Sequence, residues 1–410
     1  MEIIATTPLE LIVVAAGAGL FLVLTLLRPR DAVVVVILLT PLYLIRIREG
    51  ALRTNALDLL VMGALAGFFA LWLRKKIELS LPWWIAPASL IILGAAFATI
   101  TAGFWLQLRA LGELKSIFIL PVLFGVAAYA FVQQDVRNKK LFLAAVVVGA
   151  ALQASGALIG ALFGGDFVTY DMRLRGFFLS PNHLAMVLAP ALAVALGLFL
   201  FETTKKIRFG FGIAFGVIAI ALLFTQSSGG IISAALGALT LLLLTRKIPL
   251  KAVFAALFLV VVATTAAFIV FDTGARSSFA SRIMVWQAAL EILKDHWFFG
   301  IGPGAFQYYF LSVQPQFPPY LEWAVPQPHN IFLAIWLSAG LLGLSGFLWL
   351  LFVITKKALL ALRHSSSIPY SLFPIPFAAL AAIILHGLID TPILKNDLAV
   401  LFVVVLATIP

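Results

Sequence analysis

Residues 281–330 read SRIMVWQAALEILKDHWFFGIGPGAFQYYFLSVQPQFPPYLEWAVPQPHN, a stretch that does not belong in a lipid bilayer. Long apolar segments lead up to it, and they resume at Ile331. Its first half has a helical pattern of its own, followed by glycines and prolines. A polar loop of this length inside a greasy chain divides the protein into three regions. These are an N-terminal transmembrane bundle (1–270), a large external loop (271–328) and C-terminal transmembrane helices (329–410).

Composition supports that division. Of the 410 residues, 63% are hydrophobic and only 11% are charged; soluble domains carry about 25% charged residues. A helix needs about 20 apolar residues to cross a bilayer. Such runs lie near 9–27, 32–45, 56–73, 84–101, 114–132, 141–163, 184–201, 209–225, 229–244, 250–270, 330–354, 372–389 and 396–409. The second and last are short, so about twelve spans are expected. The runs do not alternate as barrel strands would. The expected fold is an all-α polytopic membrane protein with amphipathic helices in one external loop. No internal repeat is visible, and the first span, which lacks a basic leader, is expected to be retained.

The net charge of +11 does not point to nucleic acid. Arg74-Lys75-Lys76, Arg137 with Lys139-Lys140, Lys205-Lys206, Arg246-Lys247 and Lys356-Lys357 fall on alternate loops. That side is expected to be cytoplasmic, which puts 271–328 outside. Arg46, Arg48 and Arg53 run against the rule; either they bind phosphate or the first spans are miscounted. There is no cysteine, hence no thiolate nucleophile, disulfide or cysteine metal site.

Within the loop, Ser281 reads as a helix N-cap. Trp286, Leu290, Leu293 and Trp297 then form an apolar stripe. Arg282 falls in the first turn, where a cation opposes the helix dipole; it is either an interfacial arginine or an anion ligand. GIGPGAF (300–306) stops the helix and permits positive φ. It lacks the Lys-Ser/Thr of a nucleotide loop. Six prolines from Pro303 to Pro328 favour an extended course. His329 closes the loop at the head of an apolar span, where it is either structural or placed to take a proton from a sugar hydroxyl. Asn330 stands ready to orient it or the substrate.

The loop at 165–182 offers Asp166, Asp171, Arg173 and Arg175, followed by Ser180-Pro181-Asn182-His183. Two arginines at alternate positions suit phosphate or pyrophosphate. His386 and Asp390 are four apart and would share a helix face, where they either pair with each other or serve function. No HExxH, GxSxG or Cys/His cluster occurs, so neither metal nor cofactor is expected.

Together these motifs resemble the O-antigen ligase/O-antigen polymerase superfamily. The carriers are SRxxxW at 281–286, GIGPGAF at 300–306, PHN at 328–330, RLRGFFLSPN at 173–182 and HGLID at 386–390. The resemblance covers most of the chain from about residue 165. It implies a multi-pass bacterial inner-membrane enzyme whose active site faces the periplasm. The implied activity is inverting, metal-independent transfer of a glycan from undecaprenyl pyrophosphate to an acceptor hydroxyl. The acceptor is lipid A–core for a ligase and a lipid-linked glycan for a polymerase, with membrane lipids as further partners. Arg282 matches the family arginine that engages the donor pyrophosphate, and His329 matches the histidine that closes the loop. Arg173, Arg175, Asn182, Ser228, Trp286 and Asn330 complete the expected substrate-binding set. One position departs: the family turn T-x-S-R-G reads TQSSGG here, with Ser228 in place of the arginine. A small-anion transporter is the competing class, but such proteins place their charges near the bilayer midplane.

Overall fold

The computed structural model describes residues 3–5, 8–49, 52–245, 278–318, 325–363 and 372–409. These residues are mostly helical. Six described helices are long and apolar enough to cross a membrane: Ala56–Leu73, Phe104–Gln134, Arg137–Leu162, Pro181–Phe201, Lys205–Phe224 and Ile331–Leu360. Shorter apolar helices stand among them, including Ile85–Thr101, Ser228–Leu244, Pro374–His386 and Asn396–Ala407. The expected span at 250–270 and the basic pair Arg246-Lys247 lie outside the described residues.

Small residues let these helices approach closely. A Cβ on Gly94 would lie 2.3 Å from the Ala339 carbonyl oxygen, and one on Gly346 2.8 Å from that of Pro87. A Cβ on Gly237 would lie 2.9 Å from the Ala378 carbonyl oxygen. Lipid tails are as apolar as leucine, so helices in a bilayer associate through such close packing rather than through the hydrophobic effect. Outward-facing Phe69, Phe97, Leu152, Ile213 and Phe352 are exposed in turn. A protein bathed in water would not present such surface, whereas lipid covers it.

The structure corrects several expectations. The fold is not wholly α-helical. Ile3–Ala5, Ile45–Glu49 and Leu52–Asn55 form a small sheet, parallel then antiparallel, with Arg46 opposite Asn55. The run expected at 32–45 is a ten-residue helix, Pro29–Leu38, followed by a 3-10 turn at Thr40–Leu44. The span expected to start at 114 begins at Phe104 and continues through a π turn at Leu114–Ile119. Pro121 explains that turn: it has no N–H to donate, its ring would crowd the preceding carbonyl, and a wider turn accommodates both.

In the polar region before Ile331 the helix spans Ser278–His296, so Ser281 lies inside it and is buried rather than capping it. Arg282 therefore sits in the second turn, where the dipole penalty has faded. The buried face is Met284, Val285, Ala288, Ala289, Ile292 and Leu293. Of the expected stripe, Leu290 and Trp297 are each 52% exposed. Ala288 and Ala289 win because small residues let the helix seat tightly against Phe306, Phe310 and Leu337. The proline-rich segment falls partly on 319–324, outside the described residues.

The bundle has two polar ends. At one, Lys140 pairs with Glu202 at 2.5 Å and Lys357 lies over the Trp83 ring. The other end receives the loop at 164–180, the TQSSGG turn, the helix Ser278–His296 with its glycine turn, and the connection 387–395. Helices Ala56–Leu73, Pro181–Phe201, Ser228–Leu244, Ile331–Arg363 and Asn396–Ala407 all begin at this second end.

Candidate active site

The glycine turn docks the helix Ser278–His296 onto the bundle. Gly300, Gly302 and Gly304 all have positive φ, and so does Gly340, which interrupts the helix Ile331–Arg363. Ile301 N donates to Leu337 O at 2.7 Å and Leu341 N to Phe298 O at 2.9 Å. The Leu337 carbonyl and the Leu341 N–H, freed by the break at Gly340, are thus both taken up by the incoming turn. Gly304 presses on Glu113 and Arg109: a Cβ there would meet them at 2.9 and 3.2 Å.

From the turn the chain returns along the connection between the last two described helices. Gln327 Nε2 donates to Leu394 O at 2.6 Å, and Thr391 Oγ1 donates to Gln327 Oε1. Ile331 N donates to Gly387 O at 2.7 Å. His329 is held between these ties with a φ of 49°, a left-handed backbone that a non-glycine residue adopts at a cost of roughly 1–3 kcal/mol. Its Nδ1 lies 3.2 Å from Asp390 Oδ1. Asp390 is buried, and Oδ1 also accepts from Thr391 N at 2.9 Å. Burial by itself raises the Asp390 carboxyl, but the charge and hydrogen bond of His329, with His386 and Lys395 nearby, hold it well below the usual carboxylate range. An ionised Asp390 accepts only, so Nδ1 carries the proton and Nε2 is left to receive one. The expected His386–Asp390 pairing on one helix is not formed. The helix ends at His386, and Asp390 turns to His329 instead.

Arg282 reaches the same connection, its Nε donating to Ile389 O at 2.9 Å. Trp286 Nε1 donates to His329 O at 3.2 Å, which joins the external helix to the histidine's backbone. Asn330 is committed to structure: Oδ1 accepts from Phe332 N and Leu333 N, capping the next helix, and Nδ2 donates to Leu388 O at 3.0 Å. Arg282, Trp286, His329 and Asn330 are therefore brought together around residues 388–390.

The earlier loop is placed differently. Arg173 Nε donates to Thr225 O at 3.1 Å and Nη2 to Asn182 Oδ1 at 3.1 Å, which ties that loop to the TQSSGG turn. Arg175 turns into its own loop, donating to Phe178 O at 3.0 Å and pairing with Asp166 at 2.5 Å. Ser228 is exposed at the start of its helix, with Ser227 as the cap. Its neighbour Gly229 packs on Ile389 and His386, so Ser228 stands close to the connection that Arg282 reaches.

A second histidine–carboxylate pair lies nearby. His183 Nε2 is 2.9 Å from Asp397 Oδ2, Lys395 Nζ is 3.1 Å from His183 Nδ1, and the Tyr43 hydroxyl is 3.2 Å from the same nitrogen. Burial lowers the Lys395 ammonium, while Asp390 and Asp397 pull against that shift. Above this group opens a chamber in two lobes of about 290 and 430 Å³, the larger of them mainly polar. Both lobes are lined by Tyr43, Arg46, Arg109, Glu113 and Asn396. Most of these residues were missed because they lie in the first third of the chain, away from any motif. Signals existed: the period-two pattern IRIRE at 45–49, the i,i+4 pair Arg109–Glu113, and polar LysAsnAsp between two apolar runs at 395–397.

Helix starts supply further positive potential at this end. Side chains of Asn55, Ser180 and Ser227 cap three of them. Unpaired N–H groups in the first turn of each helix favour anions. Among the described residues no group of three His, Cys, Asp or Glu is placed to hold a metal ion.

Residues 213–348 match the family model described as O-antigen ligase. No curated protein matches the chain. The matched stretch includes Arg282, Trp286, the glycine turn, His329 and Gly340, while Arg173, His183, Asp390 and most of the chamber lie outside it. Members of that family are membrane glycosyltransferases, and over this third of the chain the protein is similar to the O-antigen ligase/polymerase superfamily.

Proposed function

We propose that this protein is a ligase-type glycosyltransferase of the bacterial inner membrane. It crosses the membrane about twelve times and works at its periplasmic face. It moves a glycan from undecaprenyl pyrophosphate to a hydroxyl of lipid A–core. One observation carries the reading: Arg282 and His329 are held on adjacent residues of one turn, Ile389 and Asp390, so a cation and a base share a site.

The chemistry asks little more of the protein. Pyrophosphate is already a good leaving group. Arg282, helped by the helix starts, stabilises the charge that develops as the anomeric C–O bond breaks. The acceptor oxygen attacks from the opposite face, inverting the centre, and its proton passes to His329 Nε2. Asp390 holds the ring and balances the imidazolium that forms. Close placement of two lipid-anchored substrates supplies much of the remaining rate.

The test is transfer in vitro by the purified full-length protein with EDTA present, using undecaprenyl-pyrophosphate glycan and either lipid A–core or further lipid-linked glycan. Transfer to lipid A–core that Arg282→Ala and His329→Ala both lose supports the scheme. Growth of the lipid-linked chain alone makes the protein a polymerase with the same chemistry. Full activity in Arg282→Ala overturns the site.

A further inference from the structure

The two-lobed chamber is built from parts of the chain far apart in sequence. Its walls are the 3-10 turn and strand with Tyr43 and Arg46, the helix with Arg109 and Glu113, the glycine turn at Gly302–Gly304, and Lys395-Asn396. Its two lobes together lie within the roughly 300–1,000 Å³ typical of small-ligand pockets. Three lining cations, Arg46, Arg109 and Lys395, face one lining carboxylate, Glu113. Arg46, Arg109 and Glu113 all line both lobes, so the two guanidinium groups and the carboxyl border one space. Asn55, Thr54, Asn396, Gln327 and the Tyr43 ring add hydroxyl-bonding groups and an aromatic face. Gly304 seats directly on the Arg109 stem, so the docked external region forms one wall.

Excess positive charge, neutral hydrogen-bonding groups and one carboxylate form a lining suited to a sugar that carries a negative group. Arginine forks take a carboxylate or phosphate bidentately. A carboxylate such as Glu113 accepts from ring hydroxyls. Gln327 and Pro328 line one lobe, so the chamber wall runs to the residue before His329 in the chain.

We propose that this chamber binds an anionic sugar, bearing a carboxylate or a phosphate, that belongs to the acceptor glycan. The assignment to the acceptor rests on the transferase reading above; the binding of an anionic sugar does not.

The test is direct binding to the full-length protein in detergent, read by saturation-transfer NMR and isothermal titration. The probes are glucuronate, glucose 6-phosphate, glucose and inorganic phosphate. Glucuronate and glucose 6-phosphate are expected to bind at least about tenfold more tightly than glucose or inorganic phosphate. Arg46→Gln/Arg109→Gln is expected to remove that preference, and Arg282→Ala to keep it. Arg109 is exposed, so Arg109→Gln alone serves if the double variant does not fold, with a partial loss expected. Equal binding of glucose and glucuronate, or an unchanged preference in the arginine variants, overturns the proposal. Inorganic phosphate binding as tightly as glucose 6-phosphate overturns the sugar assignment. Because binding is read without turnover, a protein that binds these sugars but transfers nothing would sink the transferase reading alone.

Discussion

Gly300 and Gly340 lie backbone to backbone, each where a side chain of the other would have to be. A Cβ on Gly300 would sit 2.4 Å from Leu337 O and 2.9 Å from Gly340 N, and one on Gly340 2.3 Å from Phe298 O. Both have positive φ. Alanine at either position meets left-handed strain of roughly 1–3 kcal/mol before any overlap is counted. Gly300→Ala and Gly340→Ala are therefore expected to lower the thermal midpoint in detergent and to abolish transfer. Gly216, with open space around its Cβ position, is the control: Gly216→Ala is expected to leave both readouts unchanged.

The His329–Asp390 pair predicts a catalytic loss without a loss of fold. His329→Gln and Asp390→Asn are expected to lower kcat by about 10²–10⁴, the range for a displaced general base. The carboxyl of Asp390, in the connection between two apolar helices, is held low, chiefly by His329 acting against burial. Its contribution to stability is therefore full above the unfolded carboxylate value of roughly 4 and is lost as pH falls through its depressed folded value. Thermal midpoints of wild type and Asp390→Asn are expected to differ at pH 5–6 and to converge only in stronger acid.

Arg175 and Arg282 should separate cleanly in a transfer assay. The Arg175 guanidinium is committed to Asp166 and Phe178 O, and it holds the exposed Asp166 carboxyl below its ordinary value. Arg175→Gln is expected to speed proteolysis of the loop at 164–180 while transfer stays within about threefold of wild type, against the loss in Arg282→Ala. A loss as large as that of Arg282→Ala would assign Arg175 to the diphosphate.

Beneath the small sheet, Asp58 is buried and accepts from Lys115 at 2.9 Å and Ser116 at 2.5 Å. Removing one partner of a fully buried pair costs roughly 3–5 kcal/mol. The Lys115 side chain is about a third exposed, which reduces the expected cost of Asp58→Ala to roughly 1–3 kcal/mol. Thermal unfolding measures it. The variant Asp58→Leu/Lys115→Met is expected to recover part of the loss, since it leaves no stranded charge.

The helical bundle was legible because apolar runs and basic loops carry their meaning locally. His329, Arg282 and the glycine turn stood out because they interrupt such runs. The sheet strands at 45–55 were hidden in what reads as a basic loop between two spans, and the helix from Phe104 likewise in what reads as a loop. Ser281 shows the limit of a local signal: a good capping residue does not cap when the helix has already begun at Ser278.

The sequence by itself determined that this is a greasy, mostly helical protein with a polar region near 281–330, and it marked Arg282 and His329 as the residues to examine. Only the tertiary structure decided that Asp390 serves His329 rather than His386, that Arg175 turns into its own loop, and that Arg46, Arg109 and Lys395 line one chamber. The reason is physical. Hydropathy and helix signals are written within a turn or a span, whereas a buried charge finds its partner wherever packing brings one. Pairs such as His329 with Asp390 and His183 with Asp397 join residues 61 and 214 positions apart.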